Sequence, residues 1–223
     1  MTVRRSATLR AVVTIGFLHT SAVHVQTFER LAAQIAPGVP IVWAVDEELL
    51  ALARHHGVEH QLVTDGIGRA LERLEHEGAE IVVCTCSTIG GVAEAIGHQR
   101  GQAVVRVDRP MAERAVGIGG RVCVVAALDS TLAPTRELIE GVASARGVEL
   151  GIEAYVVAGA WERFEAGDHE GYLEVIAAAL PGIAADADVI VLAQASMAAA
   201  ADRVDVGVPV LSSPRLAVAA LFR

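Results

Sequence analysis

The chain has 223 residues, of which 53% are hydrophobic, 20% are charged and only 4% are aromatic, and its formal net charge is −9. This length supplies a sizeable, mainly aliphatic core for one large domain or two small ones. The negative charge argues against a nucleic-acid-binding surface, which needs clustered lysine and arginine. No apolar run is long enough to span a membrane as a helix.

Strand-like and helix-like segments alternate along the chain. Residues 11–18 follow two arginines and superficially resemble a secretion signal, but polar side chains interrupt them and no clear cleavage site follows, so we predict a buried strand. The other predicted strands cover residues 40–45, 58–63, 103–107, 121–128, 149–157 and 208–211, with two more beginning at residues 79 and 187. Predicted helices cover residues 25–35, 47–55, 65–77, 134–145, 169–180 and 214–222, with others beginning at residues 92 and 110 and a short one after the strand at residue 187.

This alternation predicts an α/β protein with mostly parallel sheets and helices on both sheet faces. The segment that begins at Ala187 can be laid over the segment that begins at Ala79 without a gap. We therefore predict two related, doubly wound halves. Residues 1–107 together with residues 208–223 form the expected N-terminal domain, and residues 108–207 form the C-terminal domain.

The strand that begins at Ala79 ends in Cys86, Ser87 and Thr88, and a helix pattern follows. Ligands of open α/β sheets bind at the carboxyl ends of strands. A helix N-terminus there offers free N–H groups and a partial positive charge, which favour a thiolate and hold carboxylate or phosphate groups. Cys86 is therefore the candidate catalytic residue, while Ser87 and Thr88 bind substrate, cap the helix, or do both.

The other cysteines carry less chemistry. Three cysteines make no disulfide framework, which predicts a reduced, cytoplasmic setting. Cys84 and Cys86 form a C-x-C pair without a second Cys/His cluster, so no zinc site is expected. Cys84 and Cys123 lie within apolar runs and are predicted core residues. His19 follows the first strand, where it either tunes Cys86 or is a surface or supporting histidine.

The strand that begins at Ala187 is followed by a second turn, which carries an amide where the first turn, after the strand at Ala79, carries a thiol. In the alignment of the two segments, Gln194 matches Cys86 and Ala195 matches Ser87. Gln194 either hydrogen-bonds a substrate carboxylate or amide or fills the space of a missing thiol, and Ser196 has the same two interpretations as Ser87. Three more hydroxyl residues follow strands and are candidate anion ligands: Thr20, Ser21 and Thr131.

Cys86-Ser87-Thr88 resembles the first Cys-Asn-Thr signature of the aspartate/glutamate/hydantoin racemase superfamily, which includes arylmalonate decarboxylase and maleate isomerase. Residues 192–197 resemble the second signature, in which a cysteine stands at the position of Gln194. The resemblance implies two pseudo-symmetric domains with the site in the cleft between them, no metal or organic cofactor, and a homo-oligomer. It also implies that hydroxyls and backbone N–H groups hold the substrate carboxylate and stabilise an enediolate.

Gln194 cannot act as an acid or base near neutral pH, which disfavours a two-base racemase. With one cysteine, the sequence predicts an isomerase or decarboxylase of the superfamily that acts at the carbon alpha to the carboxylate of a small acid, with Cys86 as acid/base or nucleophile. Two alternatives stay open. One is a non-catalytic protein that binds small carboxylates, and the other is a cysteine hydrolase, which needs a histidine beside Cys86.

Overall fold

The computed structural model describes residues 13–222 and contains two four-stranded parallel sheets. The first sheet has the order β2-β1-β3-β4 and the second the order β6-β5-β7-β8, so both halves have the same topology. The strands are β1 (Ile15–His19), β2 (Ile41–Val45), β3 (Ile81–Cys84), β4 (Ala103–Arg106), β5 (Arg121–Ala126), β6 (Gly151–Val156), β7 (Val189–Leu192) and β8 (Val210–Ser212). The predicted α/β class with two related halves is confirmed.

Helices cover both sheets, which explains why the central strands are continuous apolar runs rather than alternating ones. All four residues of β7, for example, are buried. The helices are α1 (Val23–Ile35), α2 (Glu48–His56), α3 (Gln61–His76), α4 (Ser87–Arg100), α5 (Arg109–Ile118), α6 (Leu132–Arg146), α7 (Ala160–Glu165), α8 (His169–Ala184) and α9 (Ser213–Ala220), with 3-10 helices at Asp129–Thr131 and Ala195–Arg203.

The predicted strand at residues 58–63 is wrong, because this segment leads into α3. A ring nitrogen of His60 accepts a hydrogen bond from the first turn of the helix and caps it. Val63 is the first member of a buried stripe that continues at Ile67 and Leu71, four residues apart each time. The segment therefore leads into an amphipathic helix.

Three smaller differences concern the bounds of elements. The six-residue helix α7 was not predicted, and it lies between two glycines with positive φ, Gly159 and Gly167. Helix α8 continues past Pro181, because a proline near the end removes only one intrahelical hydrogen bond. The first strand begins at Ile15, and residues 11 and 12 lie outside the described residues.

The two halves exchange a helix. Met111 and Ala115 of α5, which follows the first sheet, pack against Val122 and Val189 of the second sheet. Ala217 and Val218 of α9, which follows the second sheet, belong to a cluster with Ile15 and Phe17 of the first sheet. In residues 208–223, only the helix therefore packs on the first half as expected. The expectation that the strand returns there too is wrong, since β8 pairs with β7. The division into two domains stays a prediction.

Candidate functional site

The two strand-to-helix turns face one small cleft between the halves. The nine residues that the sequence singled out all line it: Thr20, Ser21, Cys86, Ser87, Thr88, Thr131, Gln194, Ala195 and Ser196. The free volume of the cleft is about 40 Å³, which is room for a few water molecules. The structure thus brings these residues together, while their roles in binding and catalysis stay predictions.

Cys86 is the thiol that reaches the cleft. It has an extended backbone conformation immediately before α4, and its residue exposure is 9%. Cys84 and Cys123 are fully buried, and burial raises the pKa of both thiols. The predicted assignment of these two cysteines to the core is confirmed, and Cys86 is left as the cysteine that a ligand in the cleft can contact.

Ser87 and Thr88 join the two halves beside Cys86. The Ser87 hydroxyl donates to the Ala193 carbonyl oxygen over 2.8 Å, and the Oγ1 atoms of Thr88 and Thr131 lie 3.3 Å apart. The expectation that these hydroxyls cap α4 is therefore wrong, because both reach across to the second half. The N–H groups of the first turn of α4 still lack intrahelical partners, as at every helix start.

Gln194 has a fixed orientation. Its Oε1 atom accepts hydrogen bonds from the backbone N–H groups of Ala127 and Leu128 at 2.6 and 3.3 Å. An amide has one carbonyl oxygen and two N–H donors, so the remaining donors are the part of this side chain left for a ligand. The second turn consequently presents a hydrogen-bond donor where the first presents a thiol.

A buried ion pair lies behind the first turn. Arg106 donates to both carboxylate oxygens of Asp108, at 2.7 and 2.8 Å, and both side chains are almost fully buried. The same guanidinium donates to the carbonyl oxygens of Ser87 and Pro134, at 3.4 and 3.1 Å. A side chain at Gly90 would bring a Cβ within 3.0 Å of the Arg106 side chain, so this position suits glycine. The pair therefore fixes the start of α4.

His19 packs behind Thr85 and does not line the cleft. Its Nδ1 atom lies 2.8 Å from the Thr85 hydroxyl, which itself donates to the Leu18 carbonyl oxygen over 3.0 Å. Because that hydroxyl has one proton, we assign the hydrogen of the imidazole to Nδ1. Burial, together with nearby His24, lowers the pKa of His19 to about 3. His19 is thus a buried neutral histidine that contacts the residue before Cys86.

Sequence reasoning missed several residues of the cleft wall. They are His24, Leu50, Thr85, Leu128, Trp161 and Phe164. Trp161 donates to Glu165 over 2.7 Å, and Arg54 of α2 bonds the same carboxylate over 3.1 Å, so this contact closes one side of the cleft between the halves. Two aromatic residues three positions apart, in a chain so poor in them, were the available signal for α7.

Within residues 13–222, no three or more His, Cys, Asp or Glu side chains are grouped so that they could hold a metal ion. Over the same residues, no helix combines the length and the apolar character needed to cross a membrane.

Solved structures show the same fold. Aspartate racemase from Picrophilus torridus superposes with a TM-score of 0.71 at 16% identity, over 94% of this chain and 92% of that one. A putative Asp/Glu racemase from Yersinia pestis gives a TM-score of 0.67 at 16% identity, over 93% and 96%. A variant of arylmalonate decarboxylase in its sulfate-associated form gives 0.53 at 17% identity, over 94% of both chains.

Curated protein sequences include no significant match to the chain. The model of the Asp/Glu/Hydantoin racemase family, however, matches residues 14–221, which is nearly the whole sequence. The similar structures agree with this match in fold. The protein belongs to the Asp/Glu/hydantoin racemase family.

Proposed function

We propose that the protein is an enzyme that acts, without a metal or organic cofactor, at the carbon alpha to the carboxylate of a small acid, and that Cys86 is its acid/base. The observation that carries this proposal is the position of Cys86 in the cleft. The thiol stands at the start of α4, opposite the amide of Gln194 and beside the hydroxyls of Ser87 and Thr88. One reactive group thus lies among hydrogen-bond donors, of which the Ser87 hydroxyl is already bonded to Ala193.

These donors suit a carboxylate. The first-turn N–H groups of α4 carry the positive end of the helix dipole, and the Gln194 amide adds donors from the other half. The cleft has about 40 Å³ of free volume, which favours a compact reacting group. A carboxylate and its α-carbon are small enough to be enclosed, while the remainder of the substrate extends outward.

The reaction is a proton transfer at carbon. The Cys86 thiolate removes the α-hydrogen as a proton, and the electron pair of the C–H bond moves into the carboxylate to give an enediolate. The donors around the carboxylate stabilise the charge that develops on its oxygens. A proton then returns to the α-carbon, which restores the carboxylate. Loss of carbon dioxide from a malonate would reach the same enediolate and need one protonation.

The test is hydrogen–deuterium exchange at the α-carbon in heavy water, followed by proton NMR. The probes are both enantiomers of aspartate, glutamate and mandelate. We expect exchange of at least one acid by the wild type. Cys86→Ala should slow exchange of the enantiomer whose α-hydrogen faces Cys86 by at least about 100-fold, because general acid–base catalysis contributes about 10²–10⁴-fold. Cys123→Ala, in the core of β5, is the matched control and should exchange like the wild type.

Two results would replace the proposal by an alternative. Binding of an acid with equal affinity by wild type and Cys86→Ala, without exchange or decarboxylation by either, would indicate a non-catalytic binding protein. Formation of an acyl-enzyme on Cys86 with an ester probe, seen by peptide mass spectrometry, would indicate a cysteine hydrolase.

A further inference from the structure

We propose that His24 is a second proton-transfer group of this site and acts on the α-carbon together with Cys86. The inference rests on the proposed function and goes beyond it, because it assigns the catalytic group that Gln194 cannot supply. It also restores the possibility of inversion at the α-carbon, which the sequence disfavoured when only the second turn was considered.

The position of His24 in the cleft is the first observation. Among the described residues that line the cleft, Cys86 and His24 are the ones with an ionisable side chain, a thiol and an imidazole. Most of the His24 side chain is packed against its neighbours and only a part of it faces the cleft, and neither of its ring nitrogens has a hydrogen-bond partner among residues 13–222. By contrast, His19 is held by Thr85. The imidazole of His24 is therefore open to a ligand.

The repeat gives a second, independent observation. Leu18 and Val125 are equivalent, because the carbonyl oxygen of each accepts a 2.9 Å hydrogen bond from the residue just past the end of the neighbouring strand, β3 or β7. His24 follows Leu18 by six residues, and Thr131 follows Val125 by the same number. His24 thus occupies in the first half the position of Thr131 in the second.

This equivalence tells which side of the cleft His24 occupies. Thr131 reaches across to the first turn, where its hydroxyl lies 3.3 Å from that of Thr88. The symmetric place for His24 is at the second turn, beside Ser196. In agreement, His24, Ala195 and Ser196 together line both the cleft and a larger groove of about 500 Å³ next to it. The imidazole consequently lies toward the turn that carries Gln194 instead of a second thiol.

The charge state of His24 fits a base. Burial lowers the pKa of His24 to about 4, so the imidazole is neutral at pH 7 in the ligand-free protein. An anionic substrate beside the ring favours its protonated form and raises this pKa toward the neutral range, where general bases work best. Substrate binding therefore prepares His24 to accept a proton.

The transfer balances in protons and electrons. A ring nitrogen of His24 takes the α-proton and becomes an imidazolium, while the electron pair of the C–H bond forms the enediolate. The Cys86 thiol then protonates the α-carbon and becomes a thiolate. Water restores both groups by taking the proton of the imidazolium and returning one to the thiolate. The other enantiomer reacts in the opposite sense, with the Cys86 thiolate as base and the imidazolium as acid.

The experiment uses the same heavy-water assay with each enantiomer of the acids already named. The wild type should exchange both enantiomers of a substrate and interconvert them. We expect His24→Gln to lose exchange of one enantiomer by at least about 100-fold and Cys86→Ala to lose exchange of the opposite one, and both should lose interconversion. His98→Gln is the matched control, since His98 is exposed in the last turn of α4 and lines neither the cleft nor the larger groove.

A second variant separates a catalytic loss from a folding defect. Free imidazole should restore interconversion to His24→Ala by at least about tenfold, because the added base enters the space that the side chain leaves. Exchange of one enantiomer alone by the wild type, or unchanged interconversion in His24→Gln, would overturn the inference and leave the role of Cys86 intact. Unchanged exchange of both enantiomers in Cys86→Ala would overturn the proposed function itself.

Discussion

The two turns at the cleft have the same topology but differ in the side chain they carry and in the helix that follows. The first carries Cys86 and continues into α4, a regular helix of 14 residues. The second carries Gln194 and continues into a nine-residue 3-10 helix, Ala195–Arg203. The regular helix has its free first-turn N–H groups next to Cys86, whereas the second turn uses its amide oxygen to hold the neighbouring backbone. The first turn thus presents a thiol at the start of a helix, and the second presents a side-chain amide that is bonded to the backbone.

The two turns also differ in what lies behind them. In the first sheet, Cys84 pairs with Arg106, which is buried against Asp108. In the second sheet, the equivalent Leu192 pairs with Ser212, which has no charge. The first turn therefore depends on an ion pair that the second does without.

The largest effect is expected from Asp108→Ala. Removing the carboxylate leaves the guanidinium of Arg106 buried without its counter-charge, which should lower the free energy of unfolding by about 3–5 kcal/mol. Urea denaturation measures the change. Ser212→Ala, at the equivalent position of the other sheet, is the control and should cost under about 1 kcal/mol. A loss no larger in Asp108→Ala than in the control would contradict the role given to the pair.

Acid should weaken the first half through His19. The pKa of His19 is about 3 in the folded protein and about 6.5 in the unfolded chain, so the unfolded state binds the proton more readily. The contribution of neutral His19 to the free energy of unfolding is complete above about pH 6.5 and is lost as the pH falls toward 3. Between pH 7 and pH 5 the free energy of unfolding should fall by about 2 kcal/mol through this residue.

The measurement is the free energy of unfolding at pH 7 and pH 5 for the wild type and His19→Asn. Asparagine retains a donor for Thr85 but does not titrate, so the variant should lose about 2 kcal/mol less than the wild type over this interval. The second half has Ala126 at the strand position equivalent to His19, and alanine does not titrate. Equal losses in both proteins would show that His19 does not cause the acid sensitivity.

The smallest effect is expected from Gln194→Ala. The N–H groups of Ala127 and Leu128 would lose their acceptor, but water can enter the half-open cleft, so the expected cost is about 1 kcal/mol. Gln194→Met retains most of the volume without an acceptor and should be destabilised to the same degree. A stable methionine variant beside an unstable alanine variant would mean that Gln194 acts by filling space.

Local signals made the first turn predictable. An apolar run, a thiol, two hydroxyls and two glycines follow one another near Cys86, and the repeat at Gln194 can be read from the printed sequence. The start of α3 was not predictable in the same way, because the short segment between Val58 and Val63 fits a strand until the buried stripe further along the helix is known.

The remaining contacts of the site are long-range and left no local signal. The hydrogen bond from Ser87 to Ala193 joins residues more than 100 positions apart, and nothing near either residue specifies it. His24 was missed because it lies in an ordinary amphipathic helix. Only the register of the repeat, which aligns it with Thr131, would have marked it in the sequence.

The exchange of α5 and α9 between the sheets bears on how such a chain arises. A polypeptide with only one sheet and its own helices would leave part of one sheet face uncovered, because its last helix packs on the other half. It would complete its core only by pairing with an identical copy, each lending its last helix to the other. The single chain therefore has the connectivity of a swapped dimer whose two subunits were fused end to end, after which the two copies of the turn were free to diverge.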